Sequence, residues 1–139
     1  MENLLTIART ACLEAGEEIM RLYETVDFEQ KSDGSPVTIA DTRAHTILTT
    51  HLSKTNIAIL SEESIGIPLP YPERLWIIDP LDGTRDFLQK SGDFAVMVAL
   101  IEYGRPILGV VHVPVEHTTY YAYKGGGAFK VKNGEFAPL

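Results

Sequence analysis

Cysteine is almost missing from this chain. Cys12 stands alone among 139 residues, so no internal disulfide and no cysteine-based zinc site is available. Basic residues are scarce as well: 12 Lys and Arg face 19 Asp and Glu, for a formal net charge of −7 and a pI near 5.0. A chain so acidic lacks the positive face that binding a nucleic-acid polymer requires. Long apolar runs are absent from the first twenty residues, where Glu2, Glu14, Glu17 and Glu18 intervene. Neither a secretory signal nor a membrane span is expected, and a cytoplasmic location is. The triple glycine Gly125-Gly126-Gly127 has no Lys-Ser or Lys-Thr pair behind it, so it reads as a turn rather than a nucleotide-phosphate loop.

What remains is enough for one domain over residues 1–139, since a chain of this size buries about two thirds of its unfolded surface. Leu4, Ala8, Ala11, Cys12, Ala15, Ile19, Leu22 and Tyr23 recur at three- and four-residue spacing and predict an amphipathic first helix. A turn-rich stretch, Lys31 to Pro36, precedes a second helix beginning near Thr38 or Ala40, with Asp41 in its first turn. Ile57 to Leu60 reads as a short strand, and Trp76-Ile77-Ile78 as a buried strand stopping at Pro80. Phe94 to Tyr103 and Ile107 to Val113 are apolar enough to be central strands, followed by Thr118 to Tyr123 and Ala128 to Val131. The fold class is therefore α+β, two helices packed on a largely antiparallel β-sheet.

The chemistry concentrates in the acids. Asp79 and Asp82 bracket Pro80-Leu81 at a strand tip, and two like charges so close are costly unless a cation neutralises them. A hard cation such as Mg²⁺ suits such oxygen donors and leaves room for a phosphate. Glu62 follows another apolar strand, and Asp41 starts a helix, so the four acids converge if these elements are neighbours. Taken alone, Asp41 reads better as a helix cap than as a functional acid. His45, His51, His112 and His117 lack metal-like spacing and read as structural.

With those residues in place, Leu60 to Ser64 (LSEES) and Trp76 to Thr84 (WIIDPLDGT) resemble the two signatures of the inositol monophosphatase superfamily of Mg²⁺-dependent, lithium-sensitive phosphatases. Lys31 to Asp41, Asp82 to Phe94 and Ile107 to Val115 are similar to its bacterial 3′(2′),5′-bisphosphate nucleotidase branch. The resemblance implies hydrolysis of a small phosphomonoester with two or three Mg²⁺ in the complete site, most closely removal of the 3′-phosphate of adenosine 3′,5′-bisphosphate. It implies Glu62, Asp79, Asp82 and the Leu81 carbonyl as metal ligands. Gly83 and Thr84 would bind phosphate through backbone amides, Asp41 and Thr84 would orient the attacking water, and Lys31 would be an accessory basic group.

Members of that superfamily are nearly twice as long and carry a further ligand in a Trp-Asp pair, whereas Trp76 is the only tryptophan here and no such pair exists. The chain thus reads as the family's first half. A weak metal site, poor activity alone, and pairing with a second copy or with the missing C-terminal half are expected. The alternatives are an inositol or sugar phosphatase on the same acids, and a non-catalytic truncated half-domain or association module.

Overall fold

The computed structural model describes residues 1–25, 36–61 and 72–139. It contains α1 (Glu2–Thr25), α2 (Pro36–Leu52), β1 (Ala58–Leu60), β2 (Arg74–Asp82), α3 (Thr84–Gln89), β3 (Ala95–Glu102), β4 (Arg105–Val113), β5 (Thr118–Tyr123), β6 (Gly127–Lys132) and β7 (Glu135–Pro138). The strands form one sheet in sequence order, with β1 and β2 parallel and every later pair antiparallel. Helices on one side of a largely antiparallel sheet make the α+β fold expected from the sequence.

Alternation builds the core. Trp76 and Ile78 of β2, Val96, Val98 and Leu100 of β3, and Leu108 and Val110 of β4 turn inward and are at most 3% exposed. They meet Ala8, Ala11, Cys12, Ala15 and Ile19 of α1 and Ala40, Ala44, Leu48 and Leu52 of α2. The alanines let the helices approach one another and the sheet closely. Cys12 is fully buried, and its thiol is pushed up to about 12 by that burial, so it acts as a small core hydrophobe. Trp76 keeps its indole N–H satisfied by donating to Thr55 Oγ1 at 3.0 Å. Gly16 is required by contact, because a Cβ there would lie 2.6 Å from the His112 ring.

Four expectations change. Pro80 does not end β2; the strand runs on to Asp82 through a register shift between Asp79 and Asp82, since a bulge relieves the ladder of the amide that proline lacks. Ile77 is not buried but 40% exposed, and Met97, Ala99, Gly109 and Val111 are only half-buried. Their apolar run signals a sheet interior but not that both faces are covered. Helix α2 begins at Pro36, where a proline at the first helical position costs no hydrogen bond. Asp41 therefore lies in the second turn and is not a cap. Finally, α3 and β7 join the two helices and six strands that periodicity reveals, and the triple glycine is the β5–β6 turn, closed by Gly126 N–H to Tyr123 O at 3.0 Å.

An aromatic triad sets the position of the segment between β2 and β3. Tyr23 of α1, Phe87 of α3 and Phe94 pack with ring centroids 5.0–5.4 Å apart. Phe87 is fully buried and Phe94 is 2% exposed, so the short helix is anchored to the core rather than left as a surface loop.

Candidate active site

Three chain segments end at one place. Helix α2 presents Asp41 and His45, four residues apart and so on one face. Strand β1 leads into Ser61, which is 5% exposed, and β2 carries Asp79, Pro80 and Leu81 just before its last residue, Asp82. Because β1 and β2 are parallel neighbours, with Leu60 opposite Ile77, their carboxyl ends emerge on the same side. Thr84, the first residue of α3, closes the ring. Together Asp41, His45, Ser61, Asp79, Pro80, Leu81 and Thr84 line an enclosed cleft of about 60 Å³, the volume of roughly two waters in the liquid.

Gly83 makes the turn from strand to helix possible. Its backbone is left-handed at φ 90°, and a Cβ there would stand 2.6 Å from the Asp93 carbonyl oxygen and 3.2 Å from the Phe94 Cα. Only glycine fits such an approach to backbone that cannot yield. The Gly83 carbonyl then accepts the Phe87 N–H at 3.0 Å, opening α3 with Thr84 beside the cleft. At its far end α3 stops at Lys90, also left-handed, and Ser91 Oγ donates to Asp86 Oδ1 at 2.8 Å.

Asp41, Asp79, Leu81 and Thr84, four residues marked in the sequence, thus meet in one cleft. Asp82 lies at the exposed end of β2, beyond the bulge and opposite Ala95, and does not line it; Gly83 is the hinge next to it. Glu62 and Lys31 fall outside the described residues. Two residues not singled out as functional belong here: His45 Nε2 and Ser61 Oγ are 3.2 Å apart across the cleft wall. The four-residue spacing from Asp41 to His45 was the signal for the histidine. Among the described residues no group of three His, Cys, Asp or Glu is placed to hold a metal ion. The donors present are nevertheless all oxygen apart from the imidazole: two carboxylates, a hydroxyl pair and backbone carbonyls, the set that suits a small hard cation.

The model of the inositol monophosphatase family matches residues 1–139. This chain belongs to the inositol monophosphatase family. The 3′(2′),5′-bisphosphate nucleotidase CysQ of Aggregatibacter actinomycetemcomitans is 39% identical over 145 residues, covering 100% of this chain and 52% of that protein. The Escherichia coli (strain K12) CysQ is 41% identical over 132 residues, covering 90% of this chain and again 52% of the relative. Among solved structures, CysQ from Bacteroides thetaiotaomicron superposes with a TM-score of 0.87 at 40% identity, covering 95% of this chain and 49% of that one. The chain spans about half the length of the curated relatives it matches. No described helix is long and apolar enough to cross a membrane.

Proposed function

We propose that this chain supplies the acid-bearing half of a metal-dependent phosphomonoesterase that removes the 3′-phosphate of adenosine 3′,5′-bisphosphate. The observation that carries the reading is the convergence of Asp41, Asp79, Leu81 and Thr84 on one cleft. Relatives named as 3′(2′),5′-bisphosphate nucleotidases at about 40% identity support the choice of substrate.

Asp79 and the Leu81 carbonyl, with Glu62 and Asp82 from the neighbouring segments, would hold Mg²⁺. When bound, the cation neutralises phosphate charge and lowers the pKa of water. The rest is done by the chain. The Gly83 turn leaves its own amide and that of Thr84 unused by helix bonds, so they serve as donors to the phosphate oxygens. The Thr84 hydroxyl and the Asp41 carboxylate grip the attacking water from one side. As its oxygen bonds to phosphorus and the ester P–O bond breaks, one water proton passes through Thr84 to Asp41, and the departing 3′-oxygen is protonated from solvent. Asp41 sits deep enough, in the second turn of α2, to reach the cleft rather than cap its helix.

The test is release of inorganic phosphate from adenosine 3′,5′-bisphosphate with Mg²⁺, compared with inositol 1-phosphate. It is run on the chain alone and on the chain combined with the second half of the Aggregatibacter relative. The chain alone should turn over poorly. The combined protein should prefer the nucleotide, and Asp79→Asn should lower its rate on the order of a thousand-fold. Strong metal-dependent activity from residues 1–139 alone would refute the half-site reading, and an active Asp79→Asn protein would refute the acid assignment.

A further inference from the structure

Helix α2 is held to its neighbours by two kinds of contact with different consequences. Its inward face is Ala40, Ala44, Leu48 and Leu52, all fully buried. Apolar burial draws the helix in but has no preferred direction, and the two alanines present only shallow ridges, so this face fixes the rotation of α2 weakly. Hydrogen bonds are directional. Arg43 donates to Glu18 Oε1 at 3.0 Å and His51 pairs with Glu14, both toward α1. His45 reaches the other way, to the end of β1, where its Nε2 and Ser61 Oγ are 3.2 Å apart. Just past the helix Trp76 donates to Thr55, roughly 15 Å beyond His45 at 1.5 Å per residue. The helix is thus pinned to the sheet at two points, and His45 makes the one beside the cleft, a single turn after Asp41.

We propose that His45 is a positioning residue of the cleft, whose bond to Ser61 sets the rotation of α2 and with it the approach of Asp41 to Asp79 and Thr84. The inference deepens the phosphomonoesterase reading, and its kinetic arm rests on that reading. Ser61 is a firm anchor, being 5% exposed and directly behind β1, whose parallel partner β2 carries Asp79. His45 therefore ties the helix that bears one acid to the strand pair that bears the other. A carboxylate about 6 Å from the helix axis moves about 1 Å for every roughly 10° of rotation, and a misplacement of that size costs on the order of a hundred-fold in rate. The cleft has little slack to absorb it, since Asp41, His45, Ser61, Asp79 and Thr84 line a space of about 60 Å³. A tether serving stability alone is the poorer account: the buried face and the two pairs with α1 already hold the helix in place, and what the His45 bond adds is direction.

The test begins on the chain alone. Nitrogen NMR shifts of the His45 ring should show a single tautomer, fixed by its bond to Ser61, and a mixture in Ser61→Ala. Residual dipolar couplings of the α2 amides, referred to those of β2 to β4, report the rotation of the helix in the folded chain. His45→Phe keeps a ring without its nitrogens, and it and Ser61→Ala should each turn α2 by roughly 10°, the double variant no further. His45→Gln, whose amide reaches the place of Nε2, should keep the wild-type setting. In the combined protein, kcat on adenosine 3′,5′-bisphosphate with Mg²⁺ should fall about ten- to a hundred-fold in His45→Phe, in Ser61→Ala and in the double variant alike, with KM within about three-fold, and His45→Gln should recover it. An unchanged helix setting in His45→Phe, or additive losses in the double variant, would overturn the proposal. So would failure of His45→Gln to restore the rate, since the imidazole would then act on a proton itself. The couplings judge the proposal without turnover, so an inactive combined protein would refute the phosphomonoesterase reading and leave the helix setting to decide this one.

Discussion

The two faces of the sheet come from the same strands, residue by residue in alternation, and differ in almost everything else. The inward face is closed by α1 and α2 and holds Trp76, Ile78, Val98 and Leu100 at no more than 2% exposure. The outward face, one residue along each strand, holds Ile77, Met97 and Val111 open to solvent in whole or part. Hydrophobic side chains line both faces, and only one is covered by the described residues. The comparison teaches that stability of this chain resides in the inward face, while the described residues leave the outward face open to solvent.

The largest break in that contrast comes from adjacent residues. Trp76→Ala removes a fully buried indole and its hydrogen bond to Thr55 and should cost about 3–5 kcal/mol in urea unfolding. Ile77→Ala, on the open face, should cost less than about 1 kcal/mol, because much of that side chain is already in water. Equal losses would show that the outward face is packed in solution.

How far the sequence shows this architecture depends on what each signal measures. The 3.6-residue recurrence from Leu4 to Tyr23 located α1, and apolar runs located β1 to β6, because those patterns report which side chains leave water. Helix α3 escaped because six residues give periodicity nothing to act on, and β7 because all four of its residues are exposed. The run Trp76-Ile77-Ile78 could not reveal an open face, since composition is the same whether the covering layer is present or not. In the cleft, Asp79 was legible from its pairing with Asp82 and from the strand before it. Spacing among the histidines carries no signal for His45, because its meeting with Ser61 is a tertiary contact between α2 and the end of β1.

The inward face is also the pH-sensitive one. His112 is 6% exposed, donates or accepts at Thr119 Oγ1 at 2.8 Å through Nδ1, and lies against Gly16 of α1. Burial lowers its pKa from 6.5 to about 4; a hydrogen bond with the Thr118 backbone opposes the shift, and nearby His117 adds to it. The folded chain thus holds the neutral ring and the unfolded chain takes up a proton more readily. Stability from this group is complete above pH 6.5 and is lost as pH falls from 6.5 towards 4, by on the order of 2 kcal/mol. Urea midpoints measured across that range should fall, and His112→Gln should flatten this part of the profile. An unchanged slope in the variant would place the acid sensitivity elsewhere.

The smallest and sharpest comparison uses one methyl group on each side of the sheet. Gly16→Ala gains about 0.5–1 kcal/mol from reduced backbone freedom in a helix, but its new Cβ would stand 2.6 Å from His112 Cδ2 and 2.7 Å from Nε2. The ring is held by Thr119 and enclosed by Pro114, whose Cγ is 3.3 Å from the same point, so it has nowhere easy to go. Overpacking of that kind costs about 1–3 kcal/mol, and the balance is a net loss of about 1 kcal/mol. Gly109→Ala makes the same chemical change on the outward face, where the backbone is not left-handed and no heavy atom lies within 4 Å of the new methyl. There the conformational gain is unopposed, and stability should hold or rise by about 0.5 kcal/mol. Thermal unfolding of both variants separates the faces: Gly16→Ala should lower the melting temperature, and Gly109→Ala should hold or raise it. A lowered melting temperature in both variants would mean that the outward face is as tightly packed as the inward one.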